Sequence, residues 1–345
     1  MRIALVNDVA LAVEALRRVL AGTSEHQVAW TAYDGAEAVE LCGRDRPDLI
    51  LMDLIMPRMD GVQATRMIMA RSPCAIVVVT ANVAQNSSKV FEAMSAGALD
   101  AVNTPVLEDP GARDGVGALL AKIATIQRLI GPPSLKTQLA LPQRFHLAPT
   151  WQHHHLIAIG ASAGGPAALA KVLTCLPRDF PAPVVIVQHV DAQFAGDLAG
   201  WLAGQTPLRV RLAQDNDHPE PGTALLAGRN SHLVFTSPTR LAYTPTPADC
   251  AYRPSIDVFF KSADRFWQGD VLGVVLTGMG HDGAEGLRVL HCNGHHTIAQ
   301  DCASSAVYGM PKAAADVQAA SEVLSLDRIG PRLRNIVQQK SSTDG

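Results

Sequence analysis

Short apolar runs alternate with longer amphipathic stretches through residues 1–130. The apolar runs predict buried β-strands, whereas the amphipathic stretches repeat apolar residues every three or four positions, as α-helices do. The predicted strands are Ile3–Val6, Val28–Trp30, Leu49–Met52, Ile76–Val79 and Ala98–Val102. The predicted helices begin at Ala10, Gly35, Asp60, Ser88 and Ala112. Because strands and helices alternate, we predict one doubly wound domain with a parallel sheet covered on both faces.

The pattern is interrupted after residue 130 and then resumes. Residues 131–152 begin with Gly131-Pro132-Pro133-Ser134 and show no clear periodicity, which indicates a linker. From residue 153 the alternation returns, and short runs between residues 219 and 254 look like hairpins. The predicted buried strands of this part are Leu156–Ile159, Val184–Val187 and Val271–Leu276. We therefore predict a second doubly wound α/β domain over residues 153–340.

Composition narrows the class of protein. A chain of 345 residues has the length of two domains, and 48% hydrophobic residues suffice for two cores. The formal charge of −3 gives no reason to expect binding to nucleic acid or to an anionic membrane. The six cysteines form no CxxC pair, which favours free thiols in a reducing compartment. No run approaches the ~20 apolar residues of a membrane span, and the start of the chain lacks the shape of a signal peptide. We expect a soluble, cytoplasmic protein without membrane insertion.

Polar residues follow three strands of the first domain. Asp8 follows the first strand, Asp53 follows the third, and Thr80 ends the fourth. In a doubly wound sheet these strand ends converge on one crevice. Clustered carboxylates bind Mg²⁺, which would neutralise charge as a phosphoryl group reaches a carboxylate oxygen. Asp60 competes with Asp53, but the glutamine at position 63 favours Asp60 as a helix N-cap. Asp8 taken alone is also compatible with an N-cap.

A second set of residues suggests a serine hydrolase. The segment Gly160–Gly164 has the pattern G-x-S-x-G directly after a strand, which holds the hydroxyl of Ser162 out into the crevice. A serine nucleophile needs a base, and that base needs an orienting group. His189 lies at the end of the next strand, and Asp282 follows a later strand through a glycine turn. Three strand ends therefore offer the three residue types of a catalytic triad.

Several alternatives compete with this interpretation. A dinucleotide-binding loop is disfavoured because Ser162 replaces the second required glycine. Asp282 has a glutamate three residues later, so it could belong to a helix capping box. His281 is the nearest rival base, on the turn beside Asp282. The histidine-rich segments 153–155 and 291–296 suggest zinc, but neither has a standard ligand spacing.

The first domain resembles the receiver domains of response regulators. The resemblance lies in the segments Leu51-Met52-Asp53-Leu54-Ile55-Met56-Pro57-Arg58-Met59-Asp60-Gly61, Val79-Thr80-Ala81 and Gly97-Ala98-Leu99-Asp100. It implies a flavodoxin-like fold in which Asp53 is the phospho-acceptor and Thr80 the switch residue. It also implies that Asp8, Asp53 and the carbonyl group of Ile55 bind Mg²⁺.

The second domain resembles the catalytic domain of the chemotaxis methylesterase (CheB) family. The matching segments are Ala158–Pro166, Val187–His189, Arg253–Val258, Leu276–Ala284, Ile298–Asp301 and Gly309–Pro311. The order Ser, His, Asp along the chain also agrees with this family and differs from that of α/β-hydrolases. The resemblance implies Ser162 as nucleophile, His189 as base and Asp282 as its orienting group. The backbone N–H of Met279 is the implied oxyanion donor, and Ala163 stands where the family usually has threonine.

The receiver departs from its family at two positions. Asn7 stands where most receivers have a second acidic residue, and Thr104 stands where most have a lysine that contacts the phosphoryl group. We expect the loss of that cation to weaken the coupling between phosphorylation and conformation. Both departures resemble the branch of the family found in Wsp-type surface-sensing systems.

The combined resemblance implies a receiver-regulated methylesterase. Such an enzyme hydrolyses glutamyl methyl esters, and deamidates glutamines, on methyl-accepting chemoreceptors after a chemotaxis-type histidine kinase phosphorylates Asp53. Mg²⁺ is implied for the phosphorylation and no cofactor for the hydrolase. Two alternatives remain: a binding regulator of a chemosensory complex with a vestigial receiver switch, and a serine esterase acting on small molecules. The receptor and the output, either motility or second-messenger synthesis, stay open.

Overall fold

The chain divides into two compact units, Met1–Ile130 and Gly131–Gly345. The computed structural model describes residues 1–83, 85–105, 112–130 and 155–341. The linker predicted at residues 131–152 lies outside the described residues. Among the helices that are described, none combines the length and apolar character needed to cross a membrane.

The first unit is a five-stranded parallel sheet with the strand order β2-β1-β3-β4-β5. This order is that of flavodoxin-like folds, and it confirms the predicted parallel sheet. The strands are β1 (Arg2–Val6), β2 (Gln27–Ala32), β3 (Leu49–Met52), β4 (Ala75–Thr80) and β5 (Asp100–Asn103). The helices are α1 (Ala10–Ala21), α2 (Gly35–Arg44), α3 (Gly61–Arg71), α4 (Ser87–Ser95) and α5 (Ala112–Ile130).

Local sequence accounts for most of these boundaries. β3 and β4 are buried along their whole length, as apolar strands between two helical layers must be. Asp60 is the N-cap of α3, as predicted, and its carboxylate accepts a hydrogen bond from the N–H of Gln63 at 2.8 Å. The strand predicted from Ala98 begins instead at Asp100, because Gly97, with φ of 118°, and the two residues after it complete the turn from α4.

The described part of the second unit contains a seven-stranded parallel sheet, again as predicted, with the order β14-β13-β12-β6-β7-β9-β8. Its strands are β6 (Leu156–Ala161), β7 (Val184–Gln188), β8 (Arg209–Leu212), β9 (Thr223–Leu226), β12 (Val271–Val275), β13 (His296–Gln300) and β14 (Glu322–Leu324). The helices are α6 (Gly165–Thr174), α7 (Ala192–Ala203), α8 (Ile256–Phe266), α9 (Ala284–Cys292), α10 (Met310–Asp316) and α11 (Leu326–Ser341).

The order of the strands reverses beside β6. From β6 the chain moves outward through β7 to one edge of the sheet, and it later returns to form β12 on the other side of β6. Loops leaving two such neighbours diverge, so a crevice opens at their carboxyl ends. Ser162 follows β6, and the turn at residues 277–283 follows β12. The topology thus puts both segments beside one crevice.

The predicted hairpins are only partly correct. Strands β10 (His232–Ser237) and β11 (Arg240–Thr244) do form an antiparallel pair. β9, in the same predicted region, instead pairs in parallel with β7 and β8. The four residues of β9 are all buried, so their apolar pattern reflects a place inside the sheet rather than a hairpin.

Candidate active site

Asp53 lies at the carboxyl end of β3, with 9% of its surface exposed. Its carboxylate accepts a hydrogen bond from the N–H of Leu54 at 2.7 Å. Burial raises the pKa of Asp53 to about 6; the N–H groups of Leu54 and Ile55 oppose this rise, and the negative charge of Asp8 adds to it. The carboxylates of Asp8 and Asp53 are thus close enough to influence each other electrostatically. Together they offer oxygen ligands of the kind that Mg²⁺ prefers.

The contacts of Asp8, Asn7 and Thr80 show what each of these residues does in the structure. Asp8 is exposed and does not cap α1, whose N-cap is Val9. The side chain of Asn7 is buried and accepts a hydrogen bond from the N–H of Val9 at 2.8 Å, so it shapes the loop after β1. The buried hydroxyl of Thr80 accepts a hydrogen bond from the amide of Asn86 at 3.1 Å.

A buried lysine of this unit lies at the other edge of the sheet. The ammonium group of Lys122 is 2.5 Å from the carboxylate of Asp100, at the beginning of β5. Thr80 and Thr104 lie at the opposite, carboxyl edge, where the N–H of Thr104 donates to the carbonyl of Thr80 at 2.9 Å. Lys122 therefore does not replace the cation that the receiver lacks at position 104.

Ser162 lies on a tight turn between β6 and α6. Its N–H donates to the carbonyl of Thr277 at 3.1 Å, and its own carbonyl accepts from the N–H of Gly165 at 2.7 Å. Gly164 has φ of 76°, and a Cβ atom there would lie 2.6 Å from Cβ of Ala306. Only glycine adopts this conformation without strain, which accounts for the second glycine of the G-x-S-x-G pattern. Ser162 is 1% exposed, so it lies beneath the surface of the unit.

His189 follows β7 and is almost completely buried. Its Nε2 atom is 2.8 Å from Oδ2 of Asp282. Its Nδ1 atom is buried and has no hydrogen-bond partner among the described residues. Since Asp282 accepts the proton on Nε2, the lone pair of the base lies on Nδ1. This assignment is opposite to that of the Ser-His-Asp template, in which Nε2 faces the serine.

Asp282 accepts four hydrogen bonds. Oδ1 accepts from the hydroxyl of Ser255 at 2.8 Å and from the N–H of Asp257 at 3.0 Å. Oδ2 accepts from the N–H of Ile256 at 2.7 Å and from His189. Burial alone would raise the pKa of Asp282, but the hydrogen bond and charge of His189 and these N–H groups lower it to about 2. Asp282 is therefore ionised and fixed.

The capping-box alternative for Asp282 is wrong, because its carboxylate binds the first turn of α8 rather than that of its own helix, α9. The N-cap of α9 is Gly283, and no side chain caps it there. In exchange, the carboxylate of Asp257 on α8 accepts from the N–H groups of Gly283 at 3.0 Å and Gly286 at 2.6 Å. The two helix starts thus exchange carboxylates, and we call this pair the Asp257–Asp282 clasp.

The turn after β12 packs directly against Ser162. A Cβ atom on Gly278 would lie 2.8 Å from Cβ of Ser162 and 2.3 Å from Sδ of Met310, so only glycine fits. The N–H of Met279, the next residue, donates to no group among the described residues. The hydroxyl of Thr277 donates to the carbonyl of Ala163 at 2.8 Å and ties this turn to the one that carries Ser162. The N–H of Met279 thus has a hydrogen bond to give, which the predicted role of oxyanion donor requires.

Sequence reasoning missed several residues that contact the predicted triad residues. The ring of Tyr252 stacks on that of His189, with centroids 4.1 Å apart and planes at 2°. The amide of Gln188 donates to the carbonyls of Ser162 at 2.9 Å and of His189 at 3.0 Å. Ser255 and Gln188 lie within segments that resemble the family, but periodicity gave no sign of their partners. Tyr252 lies just outside such a segment and gave no signal.

The rival residues that the structure describes make other contacts, whereas His153 and His154 lie outside the described residues. His281 is exposed, and the carboxylate beside it binds His189 instead. Along 291–296, His295 accepts from the N–H of Val271 at 3.1 Å, and His296 pairs with Glu322 at 2.7 Å, so their rings serve different contacts. Within the described ranges, no three His, Cys, Asp or Glu side chains are grouped as metal ligands.

Comparisons with known proteins point to one family. The family model described as CheB methylesterase matches residues 157–333, and that described as response regulator receiver domain matches residues 3–110. A relative from Burkholderia pseudomallei, named protein-glutamate methylesterase/protein-glutamine glutaminase 2, is 56% identical over 98% of both chains. A relative from Mesorhizobium japonicum, named protein-glutamate methylesterase/protein-glutamine glutaminase, is 55% identical over 96% of this chain and 98% of its own.

A solved structure supports the same assignment. The crystal structure of the Thermotoga maritima CheB methylesterase catalytic domain is 30% identical in sequence, with a TM-score of 0.51, and it covers 54% of this chain and 100% of its own. The similarity therefore extends over both domains in the relatives and over the catalytic unit in the structure. This chain belongs to the CheB methylesterase family.

Proposed function

We propose that this protein is a protein-glutamate methylesterase and protein-glutamine glutaminase controlled by its receiver domain. The observation that carries the proposal is the buried His189, with Nε2 bound to Asp282 and Nδ1 free to act as a base. The names of the relatives supply the substrate class. The substrates are glutamyl methyl esters and glutamines of chemoreceptors, and the enzyme works in the cytoplasm.

The reaction begins with attack by Oγ of Ser162 on the ester carbonyl carbon. The hydroxyl proton passes to Nδ1 of His189, and Asp282 stabilises the resulting imidazolium through Nε2. The N–H of Met279 donates to the oxyanion as it develops. His189 then returns the proton to the leaving oxygen, and methanol departs.

Hydrolysis of the acyl-enzyme completes the cycle. His189 takes a proton from water, the hydroxide attacks the acyl carbon, and the proton returns to Oγ of Ser162 as glutamate is released. A glutamine substrate follows the same route with ammonia as the leaving group. One set of residues therefore supports both reactions in the relatives' names.

The receiver supplies the control. Asp53 is the phospho-acceptor, Thr80 is the switch residue, and a chemotaxis-type histidine kinase is the phosphodonor. Asp8, Asp53 and the carbonyl of Ile55 would hold Mg²⁺, which supplies positive charge to balance the incoming phosphoryl group. The raised pKa of Asp53 supports this role, because a buried carboxylate near a second negative charge gains when a cation binds.

The binding-regulator alternative is not favoured. It rests on Asn7 and Thr104, which are both residues of the receiver. The catalytic unit retains the hydrogen bond between His189 and Asp282, and a protein without catalysis has no need of an ionised orienting group held by four hydrogen bonds. A serine esterase for small molecules would have no need of a receiver domain.

Methanol release from a methylated cognate receptor tests the proposal. The full chain is compared with Ser162→Ala and Asp53→Ala, each with and without a small phosphodonor and Mg²⁺. We expect Ser162→Ala to release none, and the phosphodonor to accelerate release only when Asp53 is present. An equal rate of methanol release with and without the phosphodonor would indicate an esterase that its receiver does not regulate. No release from a receptor that another methylesterase demethylates would refute the enzyme assignment, and rapid hydrolysis of small esters would favour the generic esterase.

A further inference from the structure

His232, at the beginning of β10, is a fully buried histidine that takes no part in the proposed reaction. Both of its ring nitrogens contact backbone groups. Nε2 is 2.8 Å from the carbonyl oxygen of Pro247, and Nδ1 accepts a hydrogen bond from the N–H of Ser255 at 3.0 Å. Pro247 and Ser255 are the two ends of one loop, which we call the 247–255 loop. A single side chain therefore joins both ends of this loop.

The 247–255 loop provides contacts to two members of the triad. Tyr252 stacks on one face of the His189 ring. Ser255 donates its hydroxyl to Asp282, and the N–H groups that follow it in α8 bind the same carboxylate. The orientation of the base and that of its partner thus depend on the path of one loop.

We infer that His232 is a positioning residue for catalysis, which fastens the 247–255 loop so that Tyr252 holds His189 and Ser255 holds Asp282. The inference rests on the proposed function in one respect, namely that Ser162, His189 and Asp282 form a working triad. The hydrogen bonds of His232 go to the two ends of the loop and not to these three residues, and His232 has no exposed surface. The charge of Asp282 acts on the neutral ring only as a secondary influence on its pKa, so the loop is the route by which His232 acts on the reaction.

The hydrogen bonds require neutral imidazole. The carbonyl of Pro247 needs a donor, whereas the N–H of Ser255 needs an acceptor, and only the neutral ring offers one of each. Burial lowers the pKa of His232, which keeps the ring neutral. A glutamine amide also offers one donor and one acceptor on neighbouring atoms, whereas leucine fills similar space and offers neither.

Four variants of the full chain test the inference: His232→Leu, His232→Gln, Ser255→Ala and the double variant His232→Leu/Ser255→Ala. The matched control is His295→Leu. His295 is also buried, and its Nδ1 also accepts a backbone N–H, that of Val271. Val271 begins β12, at the edge of the sheet opposite to Ser162, so the control removes an equivalent hydrogen bond far from the triad.

Two rates are measured on the folded protein. The first is methanol release from the methylated receptor, with kcat and KM determined separately. The second is covalent labelling of Ser162 by a fluorophosphonate, which reports an activated serine whatever the natural substrate is. We expect His232→Leu to lower kcat and the labelling rate by at least about tenfold, since small misplacements of catalytic groups are costly. KM should change by less than about twofold, because a residue without exposed surface does not bind substrate.

The pattern across the variants separates positioning from general destabilisation. His232→Gln should restore most of the lost rate, and His295→Leu should lower the melting temperature without changing kcat. The double variant should lose no more than the worse of its two single variants, because both changes act through one loop. Additive losses, equal losses in His295→Leu, or an unchanged rate in His232→Leu would overturn the inference.

The two readouts distinguish this inference from the proposed substrate. If the wild-type protein is labelled at Ser162 but releases no methanol, the proposed function fails. The labelling rates of the His232 variants still test whether His232 positions the triad. If Ser162 is not labelled in the wild type, there is no working triad, and the inference falls with it.

Discussion

The Asp257–Asp282 clasp makes a sharp prediction for Asp282→Asn. Each oxygen of Asp282 accepts a backbone N–H: that of Asp257 on Oδ1 and that of Ile256 on Oδ2. An amide in place of the carboxylate puts an NH₂ group opposite one of these donors in either orientation. With the NH₂ group at Oδ2, His189 must also take the other tautomer, and Nδ1 then carries a proton instead of the lone pair.

The size of the effect follows from these contacts. One buried N–H group loses its acceptor, which costs about 1–3 kcal/mol. The remaining bonds are no longer charge-assisted, so we expect a total loss of about 2–4 kcal/mol in the free energy of unfolding of the catalytic unit. The imidazolium also loses its counter-charge, and kcat should fall about 10³- to 10⁴-fold.

Asp257→Asn is the matched control. Only Oδ1 of Asp257 accepts hydrogen bonds, from Gly283 and Gly286, so an amide oxygen can replace it and its NH₂ group can point away. At pH 4, where its raised pKa keeps Asp257 protonated in the fold, we expect a change of less than about 1 kcal/mol in stability. At the pH of the activity assay we expect a kcat near that of the wild type.

Urea unfolding and methanol release measure the two quantities on both variants. Hydrogen exchange of peptides from α8 and α9 assigns the loss of stability to the clasp rather than to the receiver. Equal effects of the two substitutions on stability would refute the reasoning. Both oxygens of Asp282 accept backbone hydrogen bonds but only one oxygen of Asp257 does, so Asp282→Asn should cost more. An Asp282→Asn enzyme with more than a tenth of the wild-type kcat would also refute it.

Three further predictions follow from pKa shifts and close packing. Burial and the charge of Asp282 raise the pKa of Asp257 from 3.8 to about 7, so its protonation stabilises the fold below pH 4, and this stability is lost as the pH rises to about 7. The free energy of unfolding, measured with urea between pH 4 and 7, should depend less on pH in Asp257→Asn than in the wild type. The same pH dependence in both proteins would contradict the raised pKa of Asp257. Asp8→Asn should lower the pKa of Asp53, measured by carboxyl NMR, yet leave it above 3.8, because burial is the larger cause. Gly278→Ala should lower kcat at least about tenfold, because the added Cβ would clash with Cβ of Ser162 and displace it. An unchanged kcat would show that the turn moves instead and leaves Ser162 in place.

The sequence by itself determined the architecture and the general place of both sites. Alternating strands and helices predict parallel sheets, and parallel strands end at one edge. Within each domain, residues directly after strands are therefore predicted to lie at one edge of the sheet without knowledge of any contact: Asp8 and Asp53 in the first domain, Ser162 and His189 in the second. The local N-cap at Asp60 was also predictable, because its partner lies three residues away.

Tertiary structure alone decided the contacts that join distant segments. His189 and Asp282 are 93 residues apart, and Ser255 and Asp282 are 27 apart, so no local period reports which nitrogen or oxygen faces which donor. The same reason explains β9, whose apolar pattern shows burial but not the strand that it pairs with. Periodicity records which face of an element is buried, whereas orientation at the triad depends on side chains from other elements. The sequence therefore predicted the candidate catalytic residues, and only the packing of α8, α9 and the 247–255 loop decided how His189 and Asp282 are oriented.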